Sequence, residues 1–188
     1  MTTARESIDK LDLNLKYAFE HGDNFKARTI PLVGEIDSDK FQLIDTALTE
    51  MERHNQKSVT IRINSEGGSE YDALAIIGRL ENSKCRIITE GYGCVMSAAT
   101  LILASGDKRR ISKFSWFMHH EGSYNADGRH SEIKELVKQR EREEDQWAVV
   151  MAEYTKQPKS FWKKYGTYKD AYFNSTQLLE LGVVDEIF

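Results

Sequence analysis

The sequence predicts an α/β fold built as one domain. Runs rich in β-branched residues, such as 59–63, alternate with segments whose apolar residues recur at helical spacing, such as 40–54. Strands that alternate with helices in this way are typical of α/β folds. Only two prolines interrupt the 188 residues and no Ser/Gly/Pro-rich linker divides them, so a single domain is expected.

The first elements are predicted from side-chain alternation and from a capping motif. Apolar and polar residues alternate over 11–19, which is the period of a strand, and 21–24 is typical of a turn. A hairpin is therefore expected to join 11–19 to 25–33. The run Asp37-Ser38-Asp39 is a good cap for a helix over about 40–54.

The rest of the chain continues the alternation of strands and helices. Residues 65–69 include two glycines and predict a turn between a strand and a helix. A long helix is expected over about 129–154, with apolar ends and a charged middle. The other predicted strands lie at 59–63, at 85–89, at 114–119, near Tyr172 and at 183–187. The other predicted helices are one that ends at Leu80, one from Ser97 to before Gly106, one near Phe161 and one that starts at Ser175.

Composition excludes several classes of function. The formal net charge is −4, and without a basic excess no general attraction to nucleic acid or to acidic membranes is expected. No apolar stretch is long enough to span a bilayer, and the N-terminal residues lack the apolar core of a secretory signal. Cys85 and Cys94 do not make a disulfide framework. A reducing, cytoplasmic setting is therefore expected.

A serine at the start of an apolar helix is the first candidate for chemistry. Ser97 lies four residues after Gly93 and opens a short apolar segment, so unpaired helix-terminal amides are expected near its hydroxyl. Such amides can hold the oxyanion that forms when a serine attacks a carbonyl. The same position also suits a plain helix cap, and taken alone the motif favours the cap.

Three further motifs have both a chemical and a structural interpretation. The pair Gly67-Gly68 lets the backbone approach a ligand closely, although a simple turn also explains it. His119 and His120 are adjacent on a predicted strand and point to opposite faces, which argues against a shared metal. One of them can serve as a general base, or it can be structural. Asp170 can orient an imidazole, or be an ordinary surface carboxylate.

Together and in this order, the motifs resemble those of the ClpP family, the proteolytic subunits of the ATP-dependent Clp protease. The resemblance covers about residues 29–188 and depends on several motifs at once. The similar segments are Ile63-Asn64-Ser65 with the glycine pair, Gly93 to Ser97, Phe117-Met118-His119 for the family's Met-Ile-His strand, Asp170 with Tyr172-Phe173, and Gly182-Val183-Val184-Asp185.

The resemblance implies a serine endopeptidase. Ser97 would be the nucleophile, His119 the general base and Asp170 the carboxylate that orients the imidazole. The backbone amides of Gly68 and Ala98 would form the oxyanion hole. This chemistry requires no metal ion and no organic cofactor.

The implied fold is the ClpP/crotonase-like spiral of strand-strand-helix units, with 129–154 as a protruding handle helix and 1–28 as a divergent N-terminal segment. The implied assembly is a homo-oligomer of stacked heptameric rings that cuts peptides or unfolded polypeptides inside a chamber. The resemblance also implies a Clp-type ATPase as a partner, but the residues before Arg28 do not match the axial loop that helps to contact it, which puts this docking in question. Glu66 replaces the family's proline before the glycine pair, and Lys169 replaces an arginine without keeping its bidentate fork.

Several alternatives remain open at this point. An acyl-CoA enzyme of the crotonase fold uses a similar oxyanion hole but needs no Ser–His–Asp triad. A relative of the signal-peptide peptidases would pair a serine with a lysine instead of an imidazole. A viral maturation protease and a catalytically silent ring subunit would share the fold and differ in setting or in activity.

Overall fold

The structure is a computed structural model that describes residues 27–167 and 169–188. It alternates strands and helices, as the sequence predicts. The strands are β1 (Thr29–Ile36), β2 (Val59–Gly68), β3 (Ile87–Met96), β4 (Lys108–Ile111), β5 (Trp116–His119), β6 (Ala171–Asn174) and β7 (Glu186–Ile187). The helices are α1 (Ser38–His54), α2 (Glu70–Glu81), α3 (Ala98–Ala104), α4 (His130–Tyr154), α5 (Lys159–Gly166) and α6 (Ser175–Leu181).

One sheet holds all seven strands and branches at β3. Its main path runs β1-β2-β3-β4-β7, and every neighbouring pair on that path is parallel. Beyond the point where β4 ends its pairing, β3 continues and pairs in parallel with β5, which in turn pairs antiparallel with β6. This parallel sheet with connecting helices confirms the predicted α/β fold.

Helix α1 lies where its local sequence favours a helix. Asp37 caps α1, because its carboxylate accepts a hydrogen bond from the amide of Lys40 at 2.9 Å. At the other end of α1, the Arg28 guanidinium donates to carbonyl oxygens of Met51, Asn55 and Lys57. These contacts satisfy carbonyls near the helix end that have no intrahelical partner.

The core lies between the parallel sheet and the helices that cover it. Helix α3 is buried along its whole length, whereas α4 is buried only towards its C-terminal half, through Trp147, Ala148 and Met151. Most of the N-terminal half of α4 is solvent-exposed. The long helix predicted over about 129–154 is therefore present, and one end of it packs on the core.

Some predicted elements differ from the structure, and one strand was not predicted. The glycine pair ends strand β2 rather than forming a separate turn, because the pairing of β2 with β1 continues to Gly68. Strand β3 is longer than predicted, and β4 was not predicted because its sequence Lys-Arg-Arg-Ile has a single apolar residue. The predicted strand at 11–19 lies outside the described residues.

Candidate active site

Ser97 occupies a sharp turn between strand β3 and helix α3. Its φ is +52° and its ψ is −128°, a backbone conformation that residues other than glycine rarely adopt. The turn is fixed from both sides, because the Ser97 amide donates to the Met118 carbonyl at 2.9 Å and the Ser97 carbonyl accepts from the Thr100 amide at 2.9 Å. The Ser97 hydroxyl makes no capping hydrogen bond to α3, which removes the plain-cap interpretation. Strained turns of this kind hold the nucleophile of several hydrolases.

The imidazole of His120 lies between Ser97 and Asp170. Its Nε2 atom is 2.8 Å from the Ser97 hydroxyl oxygen, and its Nδ1 atom is 3.4 Å from a carboxylate oxygen of Asp170. The antiparallel pairing of β5 with β6 accounts for this arrangement. His119 pairs with Ala171. Because the two strands are antiparallel, His120, which follows His119, lies opposite Asp170, which precedes Ala171. A hydroxyl, an imidazole and a carboxylate therefore stand in sequence.

His119 does not contact Ser97, and the prediction that it faces the serine is wrong. The His119 side chain points to the opposite face of β5, where only 4% of the residue is exposed. Its Nε2 atom is 3.1 Å from the Trp162 carbonyl oxygen, and its ring packs edge-on against Trp147 and Trp162. Burial lowers the pKa of His119 to about 4, so its imidazole is neutral at physiological pH.

The sequence contains a signal that favours His120 over His119 as the histidine beside Ser97. The family strand is Met-Ile-His, with one residue between the methionine and the base. Met118 and His120 have that spacing, and His119 then takes the position of the isoleucine. A buried histidine in place of an apolar residue explains why His119 packs between two tryptophans.

The glycine pair approaches the serine turn closely. A Cβ atom at Gly67 would lie 2.5 Å from the Ser97 Cβ and 3.0 Å from the Ala98 amide nitrogen, so no other residue fits there without movement. Gly67 also has a φ of +104°. Gly68 packs instead against the backbone of Ile36 on β1. The ends of β2 and β3 and the start of α3 are thus in contact beside the Ser97 hydroxyl.

The comparison with known families agrees with this geometry. The sequence model of the Clp protease family matches residues 19–188. The chain belongs to the Clp protease family. Its general character is therefore that of a ClpP-like peptidase, and the resemblance noted over about 29–188 is confirmed. Members of the Clp protease family generally form oligomeric rings.

Two side chains of the Clp protease motif before the glycine pair hold the backbone of the site, a role that the sequence did not reveal. The Ser65 hydroxyl accepts a hydrogen bond from the Gly67 amide at 3.0 Å. The Asn64 side-chain oxygen accepts one from the Cys94 amide at 3.1 Å. Both bonds join residues in irregular parts of strands, which pattern analysis does not resolve.

One open groove lies beside His120 and Asp170, and another lies beside Asn64 and the glycine pair. One, of about 430 Å³, is bordered by His120, Asp170, Lys169 and the segment that follows His120. The other, of about 510 Å³, runs past the glycine pair, and the carboxylates of Glu35 and Glu66 line it without a basic side chain among its lining residues.

The described ranges contain neither a cluster of metal ligands nor a membrane-spanning helix. Over 27–167 and 169–188, no group of three or more His, Cys, Asp or Glu side chains is arranged to hold a metal ion. Within the same ranges, no helix has both the length and the apolar character needed to cross a bilayer.

Proposed function

We propose that this Clp protease family member is a serine endopeptidase in which Ser97, His120 and Asp170 form the catalytic triad. The observation that supports it best is the position of the His120 imidazole, with one nitrogen 2.8 Å from the serine hydroxyl and the other facing the carboxylate of Asp170. Because the hydroxyl meets an imidazole, this geometry favours a triad over the Ser–Lys alternative. The acyl-CoA alternative requires no such alignment.

The proposed mechanism uses the three side chains in turn. His120 Nε2 takes the proton of the Ser97 hydroxyl while the oxygen attacks the peptide carbonyl carbon. The resulting imidazolium gives that proton to the leaving amine as the C–N bond breaks, which leaves an acyl-serine. Water then attacks the ester with His120 as base, and Ser97 regains its proton when the product acid leaves. Asp170 orients the imidazole and stabilises its cation.

The oxyanion would be held by the amides of Gly68 and Ala98. Ala98 is the first residue of α3, where amides have no intrahelical acceptor. The close approach of Gly67 to Ser97 brings the amide of the following glycine to the same region. Removing one such donor typically costs about 10²–10³-fold in kcat.

The setting of this chemistry is part of the same proposal. We place the triad in a homo-oligomer of stacked rings, heptameric as the family resemblance implies, with α4 as the handle helix between rings. The exposed N-terminal half of α4 is consistent with that use. Peptides or unfolded polypeptides would be the substrates, and the free thiols of Cys85 and Cys94 suit the cytoplasm. The proposal does not include a Clp-type ATPase.

A fluorophosphonate probe tests the triad directly, because it labels only an activated serine. We expect labelling of the wild type and none of Ser97→Ala. His120→Ala should lose about 10³-fold or more in labelling rate, because the serine loses its base. His119→Gln should retain most of the rate, since its imidazole faces away from Ser97. Equal labelling of wild type and Ser97→Ala would reject the proposal, and a collapse in His119→Gln alone would return the base to His119.

A further inference from the structure

Strands β2 and β3 are both irregular at the level of Ser65. Between β1 and β2 the pairing passes from Val33 with Asn64 to Glu35 with Gly67, so β2 carries one extra residue. Between β2 and β3 it passes from residue 63 with 91 to Ser65 with Val95, so β3 carries two extra residues. Bulges of this kind leave backbone groups unpaired and redirect the chain, often beside active sites.

Ser65 satisfies one of the amides that the bulge in β2 releases. Its hydroxyl oxygen accepts from the Gly67 amide at 3.0 Å, two residues along the chain, and only 1% of Ser65 is exposed. A buried amide without a partner destabilises the folded backbone. The hydroxyl therefore favours the one backbone conformation in which the Cα of Gly67 lies against the Ser97 turn.

The same hydrogen bond determines which glycine amide is free to face the serine. The Gly67 amide is bound to Ser65, and the Ser69 amide donates to the Ile36 carbonyl on β1 at 2.8 Å. Since the Ser69 amide makes the bond to Ile36 that accompanies the Ile36–Gly68 pair, the Gly68 amide is not used in that bond and remains available to the side on which Ser97 lies.

We propose that Ser65 is a positioning residue that aims the Gly68 amide at the oxyanion by holding the amide of Gly67. This inference depends on the proposed peptidase function. According to this proposal, Ser65 helps to stabilise the transition state and takes no part in proton transfer, since its hydroxyl contacts the amide of Gly67 and not the triad.

The test uses the full-length protein, a fluorogenic peptide and a peptide boronate that mimics the tetrahedral intermediate. For Ser65→Ala we expect kcat to fall about 10- to 100-fold, which is less than the loss expected when an oxyanion donor is removed completely. The KM should stay within about twofold of the wild-type value. Boronate affinity should fall by the same factor as kcat/KM. The pH profile of kcat/KM should keep its midpoint, because His120 and Asp170 are unchanged.

Two further variants separate positioning from folding. Ser175→Ala removes another buried serine hydroxyl, which donates to the Lys113 carbonyl, and should leave kcat and boronate affinity unchanged. Ser65→Cys keeps the volume with a much weaker acceptor, and should lose kcat to a similar extent even if Ser65→Ala does not fold. Wild-type kcat in either folded Ser65 variant, or a loss confined to KM, would overturn the inference. A wild type that does not react with the boronate would instead overturn the peptidase function on which it depends.

Discussion

His119 and His120 are neighbours in the chain but have opposite surroundings. His120 faces a hydroxyl and a carboxylate at a groove, whereas His119 is enclosed by two tryptophan rings and a backbone carbonyl. Strand alternation predicts that the two imidazoles diverge, but it does not say which of them faces the serine. That choice depends on the pairing of β5 with β6, a contact between residues about fifty positions apart. Alternation alone therefore does not decide between the two histidines, whereas the spacing from Met118 favours His120.

Because His119 is buried in its neutral form, it should make stability depend on pH. Its pKa falls from about 6.5 in the unfolded chain to about 4 in the folded protein, with burial as the main cause. Between these values the unfolded state binds more protons, so its contribution to stability is complete above pH 6.5 and is lost as pH falls towards 4. The loss amounts to about 3 kcal/mol, since one pKa unit corresponds to about 1.4 kcal/mol.

Urea unfolding at pH 7.5, 6 and 4.5 measures this contribution. His119→Gln should flatten the fall in the free energy of unfolding between pH 6.5 and 4. His54→Gln, which changes an exposed histidine paired with Glu50, should leave the fall as in the wild type. The explanation is wrong if His119→Gln follows the wild-type curve.

At the scale of elements, the junction of β2, β3 and α3 was the hardest part to predict. The sequence indicates strand, glycine pair and apolar helix in the correct order, and the bounds of α1, α2 and α4 differ from the predicted ones by few residues. The irregular pairing of β2 with both neighbours leaves no periodic signal. Its geometry depends on contacts among Asn64, Gly67 and the serine turn, which form only after the strands pair.

Substitution of Gly67 tests whether the labelling of Ser97 requires the close contact between Gly67 and the serine turn. In Gly67→Ala the new Cβ would lie 2.5 Å from the Ser97 Cβ, so the serine turn or β2 must move. We expect the rate of fluorophosphonate labelling to fall at least about 100-fold, because the nucleophile and the oxyanion donors lose their mutual position. Gly34→Ala is the matched control. Gly34 also has a positive φ of +81° but has open space around it, so its variant carries the conformational cost alone and should keep the labelling rate.

The contact between helices α2 and α4 contains a carboxyl group in unfavourable surroundings. Burial, and then the charge of Glu143 on α4, raises the pKa of Glu70 to about 7, and one Glu70 oxygen is buried without a partner. Since the folded state holds this proton more tightly than the unfolded state, stability falls as pH rises from about 4.5 to 7.

Glu70→Gln should relieve this penalty. We expect it to stabilise the protein by roughly 1 kcal/mol at pH 8, a value reduced for the partial exposure of the group, and by much less at pH 5. Asp72→Asn removes a carboxylate from the same turn of α2 and should give no such gain. Thermal unfolding of the wild type and both variants at pH 8 and pH 5 measures the difference in stability. An equal gain in stability for Glu70→Gln at both pH values would contradict the prediction.

At the scale of the whole molecule, family membership and the exposed half of α4 lead to a prediction about assembly. Light scattering should give a particle mass many times the 21.6 kDa of one chain. The reason is that the proposed peptidase chamber would need several subunits to enclose it, and that the exposed half of α4 would be available for contacts between the proposed rings. A stable monomer with full peptidase activity would contradict the ring assembly and leave the triad unaffected.

The tryptophans around His119 allow its protonation to be followed by intrinsic fluorescence. Of the three tryptophans in the chain, Trp147 and Trp162 lie against the His119 ring, with centroid distances of 5.9 and 5.2 Å, while Trp116 is largely exposed. A protonated imidazole quenches indole emission, so intrinsic fluorescence follows the charge of His119 without any added label. Because His119 directly precedes His120, we expect any displacement of this part of the chain that separates the His119 imidazole from the two indole rings to change that emission.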